Sequence, residues 1–77
     1  IGLCIKTGWW GREIVIDNEF WEAAGYNLRY QLMAHELGHC LWDLEHTAEP
    51  GCHIMSPILP IGCDQNQIYI DFYEEIN

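Results

Sequence analysis

Basic residues are scarce in this 77-residue chain: Lys6, Arg12 and Arg29 stand against twelve Asp and Glu, for a formal net charge of −9. Three cations build no stripe along a phosphate backbone, which removes nucleic acid from the expected partners. Long apolar runs are missing too. No stretch approaches the ~20 residues that a bilayer-crossing helix needs, so the chain reads as soluble and no membrane partner is expected. None of its four cysteines forms a CxxC pair, which argues against a zinc ribbon. Nor is there length for a second domain. Residues 1–77 are read as one acidic domain that opens at Ile1 without an initiator methionine, the pattern of a processed product or of part of a longer chain.

A chain this short buries only about 60% of the surface its unfolded form exposes. A staple is therefore expected, whether metal, disulfide or partner. Cys52 and Cys63 are the candidate bridge, with free buried thiols as the alternative; Cys40 reads as a core residue. Cysteine usage leaves the compartment open, secreted and virion-associated proteins included.

Ile1 to Lys6 and Arg12 to Asp17 are β-branched runs separated by Thr7-Gly8-Trp9-Trp10-Gly11, a loop that suits a hairpin. In the second run Ile14 and Ile16 share one face, while Glu13, Val15 and Asp17 share the other. Asn18 to Gly25 reads as a connector. Asn27 is a good N-cap for a helix over about Leu28 to Leu41. Its period places Leu28, Leu32, His35 and His39 on one stripe and Tyr30, Ala34, Leu37 and Leu41 on a second, which reads as plain core. Asp43 to Cys63, with three prolines and two glycines, reads as an ordered loop. A closing helix is expected after Asp64, which forms a capping box with Gln67, and Ile68, Phe72 and Ile76 recur at helical spacing; the alternation of Ile68, Ile70 and Phe72 fits a strand equally well. The four tryptophans read as packing or as a hydrophobic lip. The fold class is α+β, a short β-sheet packed on the central helix plus a C-terminal helix.

The chemistry lies in His35-Glu36-Leu37-Gly38-His39, an HExxH inside the segment whose periodicity is independently helical. Imidazoles at i and i+4 project from one face, close enough to share a Zn²⁺ at ~2.0–2.1 Å per nitrogen. Glu36 is turned to the side, where its carboxylate can hold and deprotonate a water. A catalytic zinc usually takes three protein ligands. His46, seven residues beyond His39, is the expected third, brought back by a turn in which Asp43 takes the left-handed conformation. Competitors are Glu74 or Glu75 on the closing helix, and behind them His53 and Asp64.

The stretch His35 to His46, together with His53-Ile54-Met55-Ser56-Pro57, resembles the metzincin branch of the zincin metallopeptidases, whose signature is HExxHxxGxxH followed by a Met-containing turn. Trp42 stands at the signature's glycine, and His46 comes one residue late, a spacing similar to that of small zincin-like peptidases associated with toxins and phages. The resemblance implies a minimal zincin-like fold and a zinc metalloendopeptidase acting on a peptide or protein substrate. His35, His39 and His46 would be the metal ligands and Glu36 the general base on a zinc-activated water. Met55 would support the site from below without binding metal. It also implies that the strand Arg12 to Asp17 is the edge along which an extended substrate lies. A tyrosine would assist the oxyanion, with Tyr26, Tyr30, Tyr69 and Tyr73 all open. The second reading is a non-catalytic module, structural or for assembly, in which zinc is only a staple. It is marked by a fourth protein ligand such as Cys52 or His53 in place of water.

Overall fold

The alternation of the two N-terminal runs closes into a hairpin in the computed structural model, which describes residues 1–77. Strand β1 (Gly2–Thr7) pairs antiparallel with β2 (Gly11–Ile16), from Gly2 opposite Ile16 to Thr7 opposite Gly11. The turn needs its glycines. Gly8 has a φ of 63°, and a Cβ on Gly11 would collide with the Thr7 hydroxyl. Gly2, Cys4, Ile14 and Ile16 share the half-buried face of this ribbon, while Leu3 and Val15 stand in solvent on the other.

Residues expected to form a connector make a short helix, α1 (Asn18–Ala23). Asp17 caps it, its carboxylate accepting from the Phe20 N–H at 3.0 Å. Six residues are too few to show a helical period, which is why the sequence pattern passed over it. The central helix α2 runs Tyr26–Trp42 and starts earlier than its apolar period suggested. Gly25 is the N-cap and Asn27 lies inside the first turn. That extra turn sets Tyr26 beside Tyr30, ring centroids 6.1 Å apart. Arg29 lies over the Trp21 ring and donates to the Trp21 carbonyl at 2.8 Å, tying α1 to α2.

Helix α3 (Gln65–Ile76) begins as expected, with Asp64 accepting from the Gln67 N–H. Ile68 and Phe72 are buried while Ile70 is exposed, the helical and not the strand alternative. Ile54 and Met55 from the long loop join Ile68 and Phe72 in the core, flanked by Ala34, Leu44 and Ile76. The architecture is thus α+β: a two-stranded sheet and three helices, with α2 between hairpin and core.

Three expectations are corrected. The stripe Tyr30, Ala34, Leu37 and Leu41 is core only in part: Ala34 packs against the core, Tyr30 and Leu41 are exposed, and Tyr30, Ala34 and Leu37 line an open apolar groove with Trp21, Trp42 and Phe72. The chain is too short for a layer to cover that flank. Of the two readings of the tryptophans, packing fails for Trp9 and Trp10, which are exposed. Cys40 is buried, but as half of a disulfide to Cys4, alongside the expected bridge Cys52–Cys63. The former ties β1 to α2; the latter closes the loop against the start of α3.

Both bridges compensate for the small core, and chain-entropy reasoning ranks them. The separations of 36 and 11 residues correspond to about 4 and about 3 kcal/mol respectively. The paired substitution Cys4→Ser/Cys40→Ser should therefore lower the denaturation free energy more than Cys52→Ser/Cys63→Ser, by about 1 kcal/mol, as measured by urea unfolding.

Candidate metal centre

Helix α2 carries His35 and His39 one turn apart, and its C-terminus decides where the third imidazole goes. Asp43 ends the helix in the left-handed region, φ 53° and ψ 32°, a conformation that Asp tolerates better than most residues. The Leu44 N–H then donates back to the Gly38 carbonyl six positions earlier, at 3.0 Å, and the left-handed residue between them turns the chain sharply. This turn brings His46 over the helix. The three rings cluster with centroids 4.8, 5.0 and 4.9 Å apart, and their ligand atoms converge as one potential metal-binding group.

Hydrogen bonds fix which nitrogens converge. His35 Nδ1 lies 2.7 Å from the Ile54 carbonyl, and His39 Nδ1 lies 2.7 Å from the Leu44 carbonyl. A carbonyl oxygen only accepts, so in each ring Nδ1 carries the hydrogen and Nε2 of the neutral ring is a bare lone pair. Yet His35 Nε2 is 3.2 Å from His39 Nε2 and 3.2 Å from His46 Nε2. Two acceptors facing each other at that distance repel unless a cation lies between them. Tetrahedral ligation at ~2.0–2.1 Å spaces nitrogens about 3.3–3.4 Å apart. The His35–His39 and His35–His46 spacings therefore fit a divalent metal, and the tautomers of His35 and His39 suit it. Burial lowers the His35 pKa below the usual imidazole value of 6.5, opposed by the Ile54 carbonyl and by Glu36, which keeps its lone pair free at neutral pH.

Glu36 is buried beside this group, seated on the bare Cα of Gly2: a Cβ there would lie 2.5 Å from Glu36 Oε2 and 2.9 Å from Cδ. Its carboxylate makes no hydrogen bond within the chain and lines a cleft of ≈ 530 Å³ with the three histidines, Gly2, Cys4 and Lys6. A second hollow of ≈ 400 Å³ shares His35, Glu36 and His46 and is walled by Leu32, Pro57 and Leu59. At the far end of the cleft Lys6 pairs with Asp43, the ammonium holding that carboxyl below its usual range.

The other ligand candidates are engaged elsewhere. His53 Nδ1 accepts the Met55 N–H at 2.9 Å and its Nε2 meets Glu75 at 2.8 Å. Asp64 caps α3, and Cys52 is in a disulfide. Glu74 is outside the cluster. Met55, fully buried, lies under the helix at Gly38, where a Cβ would come 2.5 Å from its sulfur.

Two implied placements change. The strand along the cleft is β1 and not β2. The Asp17 N–H bonds to the Ile1 carbonyl, so in the alternating ladder Gly2, Cys4 and Lys6 turn their N–H and C=O groups to the free edge. The tyrosines stay away from the metal cluster: Tyr26, Tyr30 and Tyr73 border the groove on the opposite flank of α2. Tyr69, stacked among them, is pushed up to about 12, mainly by burial.

Sequence reasoning missed the two carbonyls that orient the rings and the seat under Glu36. A backbone carbonyl leaves no residue-type signal, and Gly2 reads as an ordinary strand terminus. No family model matches the chain, and neither a curated protein nor a solved structure matches it.

Calorimetric titration with Zn²⁺ should give one ion per chain. His46→Ala should weaken it at least ~100-fold, because removing a ligand costs no less than removing its hydrogen-bonded support. At free Zn²⁺ of about 100 times Kd the metal adds about 2.7 kcal/mol of stability, a rise in Tm of roughly 10–20 °C that a chelator reverses.

Proposed function

We propose that this chain is a zinc-dependent peptidase of the metzincin-like zincin type, with His35, His39 and His46 as metal ligands and Glu36 as general base. The observation that carries the reading is the unpartnered Glu36 carboxylate beside three converging histidine nitrogens, on a cleft open to solvent. When bound there, zinc would lower the pKa of a water toward ~7 and polarise a substrate carbonyl.

The remaining work falls to the protein's own groups. Glu36 accepts a proton from the attacking water and returns it to the leaving amine, a relay that needs a carboxylate free of other partners. The Ile54 and Leu44 carbonyls hold the rings in the ligating tautomer. The outward N–H and C=O groups of Gly2, Cys4 and Lys6 receive an extended peptide as an added strand. The hollow walled by Leu32, Pro57 and Leu59 takes an apolar side chain next to the scissile bond. Met55 beneath Gly38 supports the helix under the ligands, the position the Met-turn resemblance implies. Two disulfides suit a secreted protein.

The staple-only alternative needs a fourth protein ligand. The engagement of Cys52 and His53 elsewhere favours the enzyme.

Glu36→Gln should keep one zinc per chain while lowering hydrolysis of a peptide library at least ~100-fold, as expected for loss of a general base. Unchanged hydrolysis would defeat the assignment. Gly2→Ala should also leave zinc bound, while displacing the Glu36 carboxylate and depressing kcat more than it raises KM.

A further inference from the structure

Trp9 and Trp10 are 88% and 92% exposed, the most exposed large apolar side chains of the chain. They sit side by side at the tip of the β1–β2 hairpin, where Thr7 to Gly11 carries no charge. Water gains nothing from two indoles held in solvent, and the fold does not use them. We propose that this tip docks into the interfacial zone of a zwitterionic lipid bilayer, making the protein a peripheral membrane binder.

Three features favour lipid as the occupant. The loop's backbone is partly satisfied from within: Arg12 Nη1 donates to the Gly8 and Gly11 carbonyls at 3.4 and 2.9 Å, while its Nε holds the Cys40 carbonyl at 3.0 Å. Polar backbone turned inward is what a segment entering a bilayer requires. Arg12 also braces the loop, so the rings are presented on a stiff support.

Charge is the second feature. The register sets Lys6 opposite Arg12, directly behind the tip. Two of the chain's three basic residues thus share one cross-strand pair, an arrangement that costs stability unless both cations meet an anion. Lys6 has Asp43; Arg12 has no carboxylate. Indoles at the interface with cations behind them at the phosphate level match the bilayer's own layering. A net charge of −9 repels anionic lipid, so the surface that fits is zwitterionic.

The third is area. Two indoles offer about 150–250 Å² each, well below the ~800 Å² per partner of a stable protein complex. A bilayer sets no such minimum. No helix is long and apolar enough to cross a membrane. The inference revises the sequence expectation that membranes play no part, and it stands independently of the metal centre.

The test is flotation of the disulfide-intact chain with phosphatidylcholine vesicles at physiological salt, together with quenching by phosphatidylcholine brominated on its acyl chains. The expected result is co-flotation, a blue shift of tryptophan emission and bromine quenching in the unsubstituted protein. Trp9→Ser/Trp10→Ser should lower partitioning at least ten-fold with Tm unchanged. Failure of the unsubstituted chain to float or be quenched overturns the proposal, as does equal flotation of the double variant or binding that appears only with anionic lipid. A dimer in vesicle-free solution that the double variant abolishes would also overturn it, and would assign the tip to a second copy.

Discussion

An imidazole that gives its Nδ1–H to a carbonyl has one lone pair left, at Nε2, and cannot turn its ring without breaking that bond. His35 and His39 are both held this way, by the carbonyls of Ile54 and Leu44, and the rest of the structure arranges itself around keeping those oxygens in place. Leu44 is delivered by the left-handed Asp43 and the closure onto Gly38. Ile54 is delivered by the long loop, anchored by its own burial beside Met55 and by the Cys52–Cys63 bridge. Gly38 stands where these two constraints meet, since only a residue without Cβ lets Met55 reach the helix there.

The molecule therefore spends its limited core on one side of α2. Ile54, Met55, Ile68 and Phe72 support the metal-facing architecture from beneath, while an apolar groove that shares Phe72 and Ala34 with this core stays open along α2. Disulfides replace the burial that a longer chain would supply. Cys4–Cys40 has a second consequence. It joins the strand along the cleft to the residue after His39, so the edge that would receive a peptide and the helix that holds the imidazoles form one covalent unit.

Absence of partners within the chain unites the two candidate surfaces. The Glu36 carboxylate has no hydrogen bond within the chain, and the two exposed tryptophans have no packing. Elsewhere several polar groups are engaged, Lys6 with Asp43, Arg29 with Trp21, and His53 with Met55 and Glu75, while the buried Gln31 Oε1 is a further orphan. Groups left unsatisfied in an otherwise economical fold mark where other molecules are expected.

Local periodicity and residue types with one strong use make part of this protein readable from its residues. The i, i+4 histidines and the helix beneath them, the left-handed Asp43, the Asp64 cap and the in–out alternation of Ile14 and Ile16 were legible, because each follows from a few neighbouring dihedrals. Tertiary structure alone decided which cysteine pairs with Cys4, which strand borders the cleft, that Tyr30 and Leu41 face solvent, and that two carbonyls set the tautomers of the ligand rings. These depend on segments far apart in the chain meeting in space. Backbone oxygens, identical in every residue, carry no mark in the sequence of whom they will meet.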